Sequence, residues 1–180
     1  MTAANNPFAR LAQVPSFEVE STAVADGRPL LLPQMSGAFG IPGGRDISPD
    51  LTWSGAPDGT RSFAVTVFDA DAPSMSGFWH WAVANIPATV TALPAGAGDA
   101  AGSGLPQGAI QLPNDARLPQ YIGAAPPAGH GRHRYFITVH ALDVEDIGVS
   151  TEGTPAVFTV IMEGHTLGRA TIVATAETPA

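Results

Sequence analysis

The residues able to do chemistry collect in two stretches of the sequence. In the first, FDADAP at residues 68–73, Asp69 and Asp71 stand two apart where a β-branched run gives out, and His80 follows across a short connection containing Pro73 and Gly77. In the second, YIGAAPPAGHGRHRY at residues 121–135, a loop rich in proline and glycine leads directly into His133 and Tyr135. Side chains two apart on a strand face the same way, so His133 and Tyr135 converge while Arg134 points to the other face. An imidazole beside a phenol, with carboxylates in reach, suits a small anion. A carboxylate bonded to an imidazole N–H fixes the tautomer and raises the pKa, so Asp69 and Asp71 would hold His80 or His133 as an imidazolium facing the ligand. The Tyr135 O–H and loop amides would add neutral donors. Charge-assisted hydrogen bonds contribute about 1.5 to 3 kcal/mol each, so two or three would hold a phosphate-sized group with modest affinity after desolvation and ordering.

Each of these residues also has a plainer reading. An Asp in a strand-end turn commonly caps nearby N–H groups, a lone His is often a satisfied core or surface residue, and a Tyr often only packs. His130 and His133, with Asp69, Asp71 and His80, form a possible metal donor set, but HxxH on a loop is a weak signal and the HExxH helix is absent. Asp, His and Tyr could also perform acid–base work as in a small hydrolase. Against that reading there is no GxSxG elbow, Walker loop or dinucleotide fingerprint. No metal and no cofactor is called for, and the absence of cysteine excludes disulfides, a thiolate nucleophile and zinc–thiolate sites.

The elements that must position these groups are strands. Residues 62–69 and 78–86 read as two strands joined by a hairpin-like return, which would bring Asp69 and His80 to one rim. Trp79 and Trp81 alternate with His80 and are expected to face away from it, in packing or a dimer contact. Residues 16–22, 51–53, 133–142 and 170–175 complete the main strand set, short and bounded by turn residues. Val157, Ile161, Met162 and His165 have helical spacing, which predicts a short helix over 155–168. Residues 95–104 (AGAGDAAGSG) read as a surface loop, and residues 1–15 as a loose lead-in to one domain spanning 1–180.

Composition bounds the partners. Gly (20) and Pro (17) are abundant while charged residues make up 13%, which favours turns and extended segments over long helices. The net charge is −8 and all eight basic residues are arginines scattered along the chain, so there is no cationic stripe for nucleic acid or for an anionic membrane surface. No stretch of roughly 18 to 20 apolar residues could span a membrane, and the N-terminus shows no apolar leader core, so a soluble cytoplasmic protein is expected.

FDADAP, the FWHWAVANIP run at residues 78–87 and YIGAAPPAGHGRHRY resemble the signature regions of the phosphatidylethanolamine-binding family, and SPDLTWSGAP (48–57) with Asn114 and Asp115 is similar to its bacterial, Raf-kinase-inhibitor-like branch. The resemblance runs in order from about residue 15 to 175. It implies a mainly β fold, two antiparallel sheets packed with Greek-key-like connections and one or two short helices. It further implies a non-enzymatic binding protein with a pocket for phosphate, acetate or phosphoethanolamine-like groups. By this resemblance the pocket maps onto Asp69, Asp71, Pro73, His80, Gly123, Pro127, His133 and Tyr135. Relatives that inhibit kinases or serine proteases imply a protein-interaction alternative, for which the loop 124–131 at the pocket rim is the candidate, and bacterial members imply a homodimer. Three departures stand out. Ala70 replaces the usual proline and is expected to loosen the loop holding Asp71; Ala125 replaces a common glycine and should narrow the mouth; the short tail after Ala176 should leave the pocket without the C-terminal helix of larger members.

Overall fold

The computed structural model describes residues 5–180. It contains a large antiparallel sheet and a small one. In chain order the strands are β1 (Glu18–Glu20), β2 (Leu51–Ser54), β3 (Ser62–Asp69), β4 (Phe78–Pro87), β5 (Ala92–Leu93), β6 (Ile110–Gln111), β7 (His133–Leu142) and β8 (Thr166–Ala176), with one α-helix, α1 (Pro155–Glu163), and a single 3-10 turn at Leu32–Gln34. The small sheet has the order β1-β2-β5 and the large one β6-β4-β3-β7-β8. The chain leaves β4, contributes β5 to the small sheet, returns as β6 beside β4, and only then reaches β7 on the other side of β3.

β3 reads SFAVTVFD with almost every residue buried, because both of its faces are covered. On the inner face Val65, Val67, Trp81, Val83, Ile137 and Val139 meet Leu51 and Trp53 of the small sheet. On the outer face Ala64, Ala82, Ala84 and Leu142 meet Phe158 and Met162 of α1. The helix starts where the Thr154 side chain accepts the Val157 N–H and Pro155 supplies a preset φ. It ends at Glu163, short of the expected 168, because residues 166–168 are recruited into the long β7–β8 ladder. β8 is correspondingly longer than the expected 170–175, and β1 is shorter than 16–22, with Ser16 making only an isolated bridge to Arg169.

The glycine-rich stretch 95–104 is a loop with Ala95, Asp99, Ala100, Ala101 and Ser103 exposed, as expected, and it is anchored by the fully buried Ala97 and by Gly98, where a Cβ would come within 2.7 Å of Trp81. Of the lead-in 1–15, residues 1–4 lie outside the described residues, but Phe8 packs edge-on against Phe136 and the Ala12 amide is bonded to Glu163. Among the described residues no helix is long and apolar enough to cross a membrane.

Candidate functional site

The exit of β3 and the entries of β4 and β7 lie at one edge of the large sheet. Asp69 is the register partner of both Phe78 and Tyr135, so segments far apart in sequence meet directly. A cavity of 150 Å³ opens there, lined by Asp69, Pro73, His80, Pro127, His133 and Tyr135 together with Phe39, Ala72, Phe78, Ala125 and Pro126. Six of the eight expected residues are thus gathered around one cavity, while Asp71 and Gly123 stand outside it. Phe39 arrives from a Gly- and Pro-rich loop of the 30s, and packs edge-on to Phe78; nothing in its sequence neighbourhood signals this.

His80 reaches the cavity through a break in strand alternation. Val67 pairs with Trp81 but Phe68 pairs with Trp79, so β4 carries one extra residue, His80, at a β-bulge. The bulge puts His80 and Trp81 on the same inner face. Trp79 alone faces the other way, stacked on Phe68 at 4.3 Å, whereas Trp81 is fully buried against Tyr121 and bonded to Gln111. The expectation that both tryptophans oppose His80 is therefore corrected for Trp81.

The pairing of carboxylates with imidazoles is only half as expected. His133 Nδ1 donates to Asp69 Oδ2 at 2.8 Å, and both side chains are sealed from solvent. The other Asp69 oxygen accepts the Asp71 N–H at 2.8 Å. His133 Nε2 lies 2.7 Å from Nδ1 of the exposed His130, which forms an Asp–His–His chain running outward from the buried carboxylate. Among the described residues no carboxylate is hydrogen-bonded to His80. Its Nδ1 donates to the Ile122 carbonyl at 2.8 Å, and burial pushes its pKa down, so the ring is neutral with a lone pair on Nε2. The imidazolium expected at His80 is corrected for this reason: removal from water outweighs the distant Asp69 charge.

Asp71 is held by Arg134, whose Nε and Nη2 donate to its two oxygens, each at 2.7 Å, while the Arg134 amide donates to it at 3.0 Å. These bonds and the guanidinium charge keep the Asp71 carboxyl below its usual range. Nor is the loop loosened by Ala70, whose N–H donates to the Arg134 carbonyl at 3.3 Å, a bond proline could not make.

The connection from Tyr121 to Pro127 offers few donors. The amides of Tyr121, Ile122, Gly123 and Ala124 donate to Gly98, His80, Asp46 and Gln34, and Pro126 and Pro127 have none. Gly123 lies so close to the next segment that a Cβ would sit 2.3 Å from the Met35 carbonyl carbon; its role is backbone contact. The Tyr135 hydroxyl is buried beside Asp69 with no hydrogen bond of full geometry among the described residues, and burial first, then the charge and a looser contact of the Asp69 carboxylate, raise its pKa. Ala125 lines the cavity.

The sequence profile of the phosphatidylethanolamine-binding protein family matches residues 20–177. UPF0098 protein YbcL of Escherichia coli is 45% identical over 161 residues, covering 89% of this chain and 87% of YbcL. The crystal structure of E. coli YbcL, presented as a new member of the mammalian PEBP family, superposes with a TM-score of 0.87 at 43% identity, over 90% of this chain and 98% of that one. The putative phosphatidylethanolamine-binding protein homologue CT736 of Chlamydia trachomatis gives 0.74 at 27% identity, over 91% of this chain and 98% of its own. Carboxypeptidase Y inhibitor, solved with its cognate proteinase, shares the fold alone, at a TM-score of 0.53 and 22% identity over 91% of this chain and 84% of the inhibitor. With most of its length matched by the family profile and by a relative of such identity, the chain belongs to the phosphatidylethanolamine-binding protein family.

Proposed function

We propose that this protein is a non-enzymatic cytoplasmic receptor for a small oxyanion, a phosphate or phosphoethanolamine-like headgroup, held in the cavity between Asp69, His80, His133 and Tyr135. The family is one of binding proteins. The observation that carries the finer reading is the gathering of Asp69, His80, His133 and Tyr135, from segments far apart in sequence, around one 150 Å³ cavity. The cavity is far too small for a lipid and is of a size for a headgroup alone.

The neutral His80 shapes the chemistry. Its Nε2 lone pair must either meet a proton on the ligand or take one up when the ligand binds, so binding draws in a proton. Asp69 is occupied by Asp71 and His133 and acts by holding His133 in one tautomer, while its charge remains available to a ligand ammonium.

A second reading is supported by the rim. Residues 127–130 are exposed, yet the Gly129 amide is tied to the Thr178 carbonyl at 3.0 Å and His130 is tied to His133, which makes a rigid projecting loop suited to a protein partner such as a serine protease or kinase. Calorimetry with phosphate, phosphoethanolamine and acetate tests the first reading. Tyr135→Phe and His80→Ala should each weaken phosphate by about tenfold, roughly 1.4 kcal/mol; parent-like affinity in both removes the site assignment. An inhibition assay with a loop variant, His130→Ala, would separate the second.

A further inference from the structure

The side chains that line the cavity between Asp69 and Tyr135 include a carboxylate and no arginine or lysine. Arg134 is bonded to Asp71, outside the lining. Both Asp69 oxygens already accept, one from the Asp71 N–H and one from His133 Nδ1, and His133 Nε2 is closed by His130 at 2.7 Å. His80 and Tyr135 are therefore the polar side chains left to meet a ligand. Tyr135 has an O–H to give. His80 has no N–H to give, because its Nδ1 hydrogen goes to the Ile122 carbonyl at 2.8 Å and the neutral ring carries only a lone pair on Nε2.

The surroundings hold that ring neutral. It is 4% exposed, its hydrogen bond runs to a carbonyl and not to a carboxylate, and burial lowers its pKa. A buried acceptor that faces another acceptor loses its water and gains no bond. An anion whose oxygens are all acceptors meets this obstacle at Nε2 and repulsion from the Asp69 carboxylate as well. An anion that keeps an acidic hydrogen escapes the first, since it donates that hydrogen to Nε2 and accepts from Tyr135 through a second oxygen.

We propose, on the footing of the oxyanion reading above, that the site selects the monoanions of phosphate and of phosphate monoesters against phosphodiesters and sulfates, and that His80 is the residue that reads the acidic hydrogen. A monoester gives up its second proton at a pKa of about 6, so the monoanion is at hand near neutral pH. A diester or a sulfate ester has no hydrogen left to offer there. A site built to bond one hydroxyl rejects the analogue that lacks it far more strongly than an apolar pocket rejects a missing methylene.

Methyl phosphate and methyl sulfate form the matched pair for the test, nearly alike in shape, equal in charge as monoanions, and different by the hydrogen. Calorimetry at about pH 6 should show methyl phosphate binding at least about tenfold more tightly than methyl sulfate, and by a similar factor more tightly than dimethyl phosphate. Inorganic phosphate should displace methyl phosphate, and inorganic sulfate at the same concentration should not. In His80→Gln, whose amide can turn an N–H to the ligand, the preference for methyl phosphate over methyl sulfate should narrow to within about threefold. The comparison in the parent protein decides the matter whether or not that variant folds. Equal affinity of the parent for methyl phosphate and methyl sulfate would overturn the proposal and leave an oxyanion site standing, because His80 itself would then be taking up the proton. Failure of every one of these ligands to bind, inorganic phosphate included, would remove the oxyanion reading and the proposal with it.

Discussion

Asp69 and His133 share a 2.8 Å hydrogen bond between Oδ2 and Nδ1 at the sealed end of the cavity, and the same carboxylate takes the Asp71 N–H through Oδ1. Both Asp69 oxygens therefore point at donors, and the carboxylate acts as a tautomer lock before it acts as a charge.

That arrangement makes Asp69→Asn informative. An amide offers one acceptor and one donor end, so either the Asp71 N–H or His133 Nδ1 must face an NH2 group. Rotating the amide donor towards His133 would convert Nδ1 to an acceptor and move the ring proton to Nε2, against His130. The expected outcome is a stability loss of about 1 to 3 kcal/mol in urea unfolding, with imidazole nitrogen NMR shifts reporting the Nε2–H form for His133. An unchanged Nδ1–H signature would show that Asp69 does not set the tautomer.

Much of this arrangement was legible in the residues. The strand signals of β3 and β4 were enough to bring Asp69 and His80 to one rim, because antiparallel register fixes which residues face each other, whereas the joining of His133 and Tyr135 on β7 to them was implied by the family resemblance alone. What escaped depended on atoms no local pattern describes. The bulge at His80 arises from how β4 is registered on β3, and it turned Trp81 inward against the alternation. Arg134 was placed correctly on the far face, but its hold on Asp71 requires a loop to fold back around the strand end. Likewise the desolvation that keeps His80 neutral comes from the whole packed edge, not from its neighbours in sequence.

Gly123→Ala tests the backbone contact that closes this edge. The added Cβ would meet Met35 backbone, which cannot rotate away as a side chain can, and the Ser36 amide at 2.5 Å. The segments 34–36 and 122–124 are joined there by the Met35–Ala124 bridge and by the Tyr121 hydroxyl bonded to the Gln34 carbonyl at 2.8 Å. Relief therefore requires separating two segments held together elsewhere. A loss of about 3 kcal/mol, the upper part of the overpacking range, is expected by denaturant unfolding; parent-like stability would show that the segments slide freely.

The two buried histidines predict a particular acid sensitivity. The pKa of His140 is about 3 in the folded protein, and that of His80 is also lowered, both chiefly because burial disfavours the charged ring. In the unfolded chain each ring titrates near its ordinary value of about 6.5. Above that pH both states are neutral and stability is at its full value. As pH falls below it, the unfolded state takes up protons that the native state refuses, so stability declines, by up to about 1.4 kcal/mol per pH unit for each ring. For His140 the decline continues to about pH 3. Protonation of Asp50 and Asp71, whose carboxyls are held below the usual range, adds its effect only near and below the ordinary carboxylate pKa of about 3.9. The interval from about pH 6.5 to 4.5 thus isolates the histidines. Urea unfolding across it should show stability falling with acid, and His140→Phe, which removes the titrating ring while filling its space, should flatten the slope by up to about 1.4 kcal/mol per unit. An identical slope in that variant would mean that the native ring is protonated or solvated, and that its burial exacts no acid penalty.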